Sequence, residues 1–368
     1  MSWSAAQQEI PVAQAVGQVL CHDITCIVPE DASDGSPGAE GVCPVHPPRE
    51  TRRSKGPLFR KGHVITEADV PELLRIGKEH IFAFQLPPGG LHENDAAHRI
   101  SRAAAGQNIL FTDPVEGRIN LVAGIHGLLK VDAPRLLRVN SQDQIALATM
   151  HSNQVVREGQ NVAGARVVPL VIEEERVRRV EEICAEAPLV QVLPLKPHRV
   201  GMVTTGSEVY NGRIKDAFGP VVRKKFQELG SSVFRQILVS DHVDMTVNAI
   251  RLLLDDGADM IVVTGGMSVD PDDRTPLAIR QAGAQITTYG TPVFPGAMLL
   301  VGNIGTVPIL GLPGCVMYYR ASVFDLVVPR ILAGETVTRE DIAALGHGGF
   351  CASCPECHFP ICPFGKGA

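Results

Sequence analysis

From residue 198 onward, short apolar runs alternate with stretches of helical spacing, and three of those runs end in glycine-containing turns. The run 200–204 passes into Thr205-Gly206-Ser207-Glu208. The run 261–263 passes into Thr264-Gly265-Gly266-Met267-Ser268. The run 307–310 passes into Gly311-Leu312-Pro313-Gly314. Between them, Phe218, Val222, Phe226 and Leu229 share one face of a helix that Gly230 stops, and Val247, Ile250 and Leu254 share another. The spacing also predicts a helix opening at 276–281, a hairpin across 302–305 and one long apolar helix over 316–332. Buried strands alternating with amphipathic helices require a mostly parallel sheet covered on both faces. In such a sheet ligands favour the carboxyl ends of the strands.

Glycine lets a backbone approach a ligand closely, and N–H groups exposed at a helix start favour phosphate. None of the three turns matches G-x-G-x-x-G or G-x-x-x-x-G-K-[ST], which argues against a Rossmann dinucleotide site and against a P-loop. Acids cluster at the same strand ends. Asp270, Asp272 and Asp273 follow one strand, Asp241 follows another, and Asp216 precedes a helix. Two readings stand side by side: helix caps, or a magnesium site beside a phosphate cradle.

A length of 368 residues suggests two or three domains. The pattern divides as 1–92, with an insertion-like Pro-, Gly- and charge-rich stretch near 31–55; 93–197, more strand-like; 198–335; and 336–368. In the first part Thr66 is placed to cap a helix with Asp69 as its acidic third residue, and Gly77 to stop it. The run 173–179 reads as a solvated helix face, and 92–95 (His-Glu-Asn-Asp) as a helix cap. A formal net charge of −6 lacks the basic field that general nucleic-acid binding needs. The uncharged stretch 281–319 contains seven glycines and four prolines, so it reads as short buried pieces and not a membrane span. Nine cysteines without a visible signal peptide point to a reducing compartment, the cytoplasm, with thiols or metal sites.

The elements TTGSE (204–208), GRIKD (212–216), TGGMSVDPDDRTP (264–276) and LPG (312–314), in this order, resemble the molybdopterin-binding domain shared by MoaB/Mog-type adenylyltransferases and MoeA/gephyrin-type molybdenum transferases. The resemblance spans about 198–334, and the segment 56–84 is similar, more weakly, to the N-terminal region of MoeA-type proteins. It implies an α/β fold: a MoaB/Mog-like three-layer domain with a mostly parallel sheet, preceded by smaller α/β and β-rich parts. It implies molybdopterin over Gly265, Gly266, Met267 and Ser268, with Thr205, Gly206, Ser207, Glu208, Thr275, Pro295, Gly296, Leu312, Pro313 and Gly314 completing the cofactor site. It places the acidic catalytic residues on Asp216, Asp241 and Asp273, assisted by Mg2+. The implied role is in molybdenum cofactor biosynthesis, with molybdate replacing the adenylate of adenylylated molybdopterin. Two alternatives share the domain: a non-catalytic carrier or assembly factor for a molybdoenzyme, and a nucleotide pyrophosphate hydrolase of the CinA type. A homodimer is the family's default.

Three departures bear on turnover. The family's D-S-N reads Asp216-Ala217-Phe218, its P-G-K reads Pro295-Gly296-Ala297, and its L-P-G-N ends in Cys315. Losing a lysine beside a phosphate removes a charge-assisted contact. The S-x-M-D-G element of active MoeA enzymes has no counterpart; Ser33-Asp34-Gly35 falls in the insertion.

The last residues hold Cys351, Cys354, Cys357 and Cys362, a C-x2-C-x2-C-x4-C run with His358 inside it. Its spacing is one residue longer than the ferredoxin run, so an iron–sulfur cluster and a four-thiolate Zn2+ site compete as expectations.

Overall fold

The computed structural model describes residues 8–25, 58–84, 86–268, 270 and 273–367. The insertion-like stretch, Cys26 and Asp272 lie outside the described residues.

In the first part the strand His80–Phe84 is the centre of a three-stranded antiparallel sheet, flanked by Gln8–Pro11 and Val19–Leu20. The helix Asp69–Arg75 closes a small core of Val12, Leu20, Ile65, Leu73 and Ile81. The expected contact of Thr66 with its acidic third residue is present: Asp69 Oδ2 accepts from both the Thr66 amide (2.8 Å) and the Thr66 hydroxyl (2.7 Å). Gly77, at φ +77°, follows the end of the helix.

The middle part has an antiparallel four-stranded sheet in the order Ile109–Phe111, Arg118–Ala123, Asn161–Val167, Ile145–Thr149. A second, three-stranded sheet centres on Gly127–Val131, and the helices Glu93–Ala104, Ala133–Asn140 and Glu174–Ala185 surround them. The apolar run 165–172 is two strands, since Pro169 interrupts the ladder between Asn161–Val167 and Val171–Glu173. The charge run is a helix face, although Glu174 within it is committed: Arg99 bridges Glu174 and, just beyond the run, Glu181, each at 2.7 Å.

The last part carries a six-stranded mixed sheet. Its elements are β1 (Arg199–Thr205), α1 (Phe218–Glu228), β2 (Ser232–Val239), α2 (Val243–Asp255), β3 (Met260–Thr264), α3 (Thr275–Gln281), β4 (Gln285–Tyr289), β5 (Leu300–Ile304), β6 (Val307–Leu312), α4 (Val323–Leu332) and α5 (Arg339–Ala344). The strand order is β2-β1-β3-β6-β5-β4. The first four are parallel and the last two antiparallel, so the sheet is mixed. Alternation along β1 and β3 sends Val200, Met202, Met260 and Val262 to one face, with Phe226 and Phe324. It sends Val203, Ile261 and Val263 to the other, with Ile250, Leu253 and Ile279. Burial on both faces is why these strands are continuous apolar runs. The long helix expected over 316–332 is broken: Cys315–Tyr318 forms one turn, Tyr319 is extended, and Ser322 starts α4. A capping box causes the restart, with Ser322 and Asp325 each receiving the other's backbone N–H.

Candidate functional site

Three of the glycine-bearing turns meet at the carboxyl ends of the parallel strands. Thr204 is in register with Thr264, and Thr264 with Leu312. The turn after β3 is the tightest. Gly265 and Gly266 have φ of +85° and +57°. A Cβ on Gly265 would lie 2.3 Å from the Thr205 carbonyl oxygen, and one on Gly266 would lie 2.7 Å from Thr275 Oγ1. Only glycine fits either place. The Thr275 hydroxyl donates to the Gly265 carbonyl (2.9 Å), and the Thr275 amide donates to the Gly266 carbonyl (3.1 Å). Thr205 and Thr275 face each other, Oγ1 to Oγ1, at 3.4 Å. A narrow cleft opens there between Thr205, Asp241, Thr246, Arg274 and Thr275. An oxyanion there would be received by backbone N–H groups of the turn, beside the Arg274 that lines the cleft, because the Thr275 hydroxyl is already given to the Gly265 carbonyl.

The acids at the rim are structurally occupied. Asp216 accepts from the Phe218 amide (2.9 Å) and the Gly219 amide (3.1 Å), capping α1, and Gln236 Nε2 donates to its Oδ2 at 2.6 Å. Asp241 Oδ2 accepts from both the amide and the hydroxyl of Ser207, each at 2.8 Å, and so holds the turn after β1. Asp273 Oδ2 accepts from the Asp270 amide at 3.0 Å. Among the described residues no group of three or more His, Cys, Asp or Glu side chains is placed to hold a metal ion. The contacts realise the cap reading for Asp216 and a turn-holding role for Asp241; Mg2+ on Asp216, Asp241 and Asp273 stays an expectation of the resemblance.

The other expected site residues divide in three. Gly206, Ser207, Glu208, Ser268, Pro313 and Gly314 lie in the converging turns, with Glu208, Ser268 and Gly314 exposed. Met267 and Leu312 are core side chains: Met267 is buried, and a Cβ on Gly311 would lie 2.6 Å from its Cε. Pro295 and Gly296 serve α4 instead. The Val323 amide donates to the Pro295 carbonyl at 3.1 Å, and a Cβ on Gly296 would strike Val323 Cβ at 2.4 Å.

Two residues that sequence reasoning missed tie the site together. Gln236 Nε2 also donates to Thr204 Oγ1 (2.9 Å), whose oxygen accepts from Thr264 Oγ1 (3.0 Å). A glutamine inside the apolar strand 233–239 was the available signal. The Tyr289 hydroxyl donates to the Met267 carbonyl at 3.0 Å and fixes the far side of the turn. Burial pushes this phenol up, and the negative charge of Asp273 pushes it further.

Among the described residues the cysteine tail forms no metal cluster. Cys351, Cys357 and Cys362 are half-buried against the core beneath α4, alongside Phe359, while Cys354 is exposed. The Cys351 amide donates to the Phe294 carbonyl (2.8 Å), and Phe359 and Phe364 meet edge to face at 6.1 Å. An aromatic wedge anchors this segment, and Cys351, Cys357 and Cys362 pack against the core as small apolar groups. Cys315, at the turn after β6, is half-buried, and burial pushes its thiol up.

Comparison with known proteins adds the following. Residues 201–333 match the family described as a probable molybdopterin binding domain, and residues 9–35 and 49–85 match a domain of unknown function. A CinA-like protein of Mycobacterium avium (strain 104) is 38% identical over 77 residues, which is 21% of this chain and 18% of that protein. A CinA-like protein of Mycolicibacterium gilvum (strain PYR-GCK) is 36% identical over 109 residues, 29% of this chain and 25% of that protein. The chain thus spans a quarter or less of the length of these relatives. Among solved structures, the molybdopterin biosynthesis enzyme MoaB of Thermus thermophilus is 24% identical over 38% of this chain and 98% of its own, with a TM-score of 0.32. CinA of Thermoplasma acidophilum is 19% identical over 32% of this chain and 89% of its own, with a TM-score of 0.28.

Proposed function

We propose, because residues 201–333 match the family described as a probable molybdopterin binding domain, that the strand-end cradle holds a molybdopterin by its phosphate, and that the chain acts as a carrier or assembly factor in molybdenum cofactor biosynthesis. One observation carries the reading: Gly265 and Gly266 leave no room for side chains beside the hydroxyls of Thr205 and Thr275. On this reading the phosphate is received by backbone N–H groups of the turn, which no side chain there covers.

Holding is favoured over turnover because two rim acids already have structural partners: Asp216 caps α1, and the Oδ2 of Asp241 anchors Ser207. The missing lysine at Ala297 and the missing asparagine at Cys315 remove further polar contacts. Molybdate insertion, with adenylate leaving as molybdate takes its place, is the reading this carrier model displaces. A second reading, pyrophosphate hydrolysis of the CinA type, draws on the CinA-like relatives.

One titration separates the three. The purified protein is mixed with adenylylated molybdopterin, magnesium and molybdate, and both bound pterin and free adenylate are measured. A carrier retains the pterin and releases no adenylate, and Thr205→Val weakens retention by about tenfold, the worth of one hydrogen bond to an anion. Adenylate release that needs molybdate and stops in Asp273→Ala establishes insertion instead. Adenylate release without molybdate establishes hydrolysis.

A further inference from the structure

We propose that a trench between the middle part and the C-terminal segment is a second binding site, for a small amphipathic anion bearing a carboxylate or phosphate on an apolar body. The trench has a volume of about 770 Å3 and continues into a neighbouring cavity of about 460 Å3 through His151, Lys366 and Gly367. Cavities that take small molecules fall in this range. It shares no lining residue with the cradle.

Its walls are held before any ligand arrives. Lys130 lines the trench, donates to Asn153 Oδ1 at 2.7 Å, and pairs with Glu335 across the junction. Arg330 holds Glu335 from the other side at 2.7 Å. One wall is apolar, made by Leu136, Met150, Pro188 and Leu189.

The charge inventory fixes the class of ligand. Lys366, His151 and His347 line the connected cavities, and Lys366 is half-buried. Among the described residues no carboxylate pairs with the Lys366 ammonium, and burial pushes its pKa down. The carboxylate in the wall, Asp132, is already used: Oδ1 accepts from the Arg135 amide at 2.9 Å, and Oδ2 pairs with the Arg135 guanidinium at 3.3 Å. A desolvated ammonium facing an apolar wall is complementary to an anion with an apolar tail.

The test titrates the full chain calorimetrically with octyl phosphate, octanoate and the uncharged octyl glucoside, each below its micellar concentration. At least one anion binds at one per chain, octyl glucoside does not, and Lys366→Ala weakens the anion at least tenfold. The stronger anion identifies the head group. Gly265→Ala, in the cradle, leaves the affinity unchanged, so failure here is distinct from failure of the molybdopterin reading. The proposal falls if neither anion binds, if Lys366→Ala binds as the parent does, if octyl glucoside binds equally well, or if Gly265→Ala abolishes binding.

Discussion

Gly265 is where a single atom decides the geometry. Its φ of +85° is open to few L residues, and a Cβ would press to 2.3 Å on the Thr205 carbonyl oxygen. The neighbouring strand end resists yielding, because Thr205 is paired with Val239 of β2 and the preceding Thr204 with Thr264 of β3. Gly265→Ala should therefore lose about 1–3 kcal/mol of stability, the cost of a residue in a sparsely populated backbone region plus the contact. Chemical denaturation measures it. A loss below about 0.5 kcal/mol would mean that the turn relaxes freely and is no rigid cradle. Gly314 supplies the contrast: its φ is −54° and a Cβ there would meet open space, so Gly314→Ala should be nearly neutral. The sequence marks both as glycines in turns. Only the packing separates them.

At the scale of elements, the link between α1 and α4 is electrostatic as well as apolar. Lys225 Nζ donates to both oxygens of Asp325, at 2.8 and 2.9 Å, and to the Arg320 carbonyl at 2.9 Å. It also lies 5.4 Å from the Phe324 ring centroid. Burial pushes the Asp325 carboxyl up, more strongly than Lys225 pulls it down. A raised folded pKa favours the protonated acid, so this group adds no stability above that pKa. Lys225→Met removes the attraction and raises the carboxyl further. The expected loss is about 3–5 kcal/mol near neutral pH, the cost of stranding a buried charge. It should shrink as the pH falls through the raised pKa and Asp325 takes a proton. Unfolding free energies at pH 7 and pH 5 decide it; an equal loss at both would remove Asp325 from the account. This pairing also shows what the sequence leaves unread. The strand and helix runs of 198–335 are legible because burial on both faces leaves apolar runs, and helix faces leave a 3.6-residue period. The break before Ser322 is not legible, because the apolar period of 316–332 continues across it. What ends one helix and starts the next is a local hydrogen-bond competition won by Ser322 and Asp325. The Phe218 amide that Asp216 caps is local and legible in the sequence, but Ser207 beside Asp241, and Gln236 beside Asp216, come together only once the strands are side by side.

Across the whole molecule, the middle part meets the six-stranded part through a short list of polar ties. The chain passes directly from Val190–Pro194, paired with Gly127–Val131, into β1, and the Lys196 amide donates to the Leu332 carbonyl at 2.8 Å. Lys130 pairs with Glu335, which Arg330 also holds, and Arg330 reaches Asp341 at 2.8 Å. Burial pushes Glu335 up, but the hydrogen bonds from Lys130 and Arg330 outweigh it, and the net pKa is lowered. A lowered carboxyl pKa contributes stability that is complete above the ordinary value of about 4.3 and is lost as the pH falls through the folded value. Lys130→Met leaves Glu335 to Arg330 alone, so only part of the network goes, and the expected loss is about 1–2 kcal/mol at neutral pH. The loss is local to the junction. Hydrogen exchange should quicken in 127–131 and 330–341, while β1 and β3, buried on both faces, keep their protection. In acid, with Glu335 protonated, the difference should shrink to the worth of the lost Lys130–Asn153 hydrogen bond. Uniform loss of protection across both parts would mean that they unfold as one unit and that the ion pair is not a hinge between them. Unchanged exchange at 127–131 would mean that the chain crossing at Lys196, and not the Lys130–Glu335 pair, holds the two together and keeps the trench in shape.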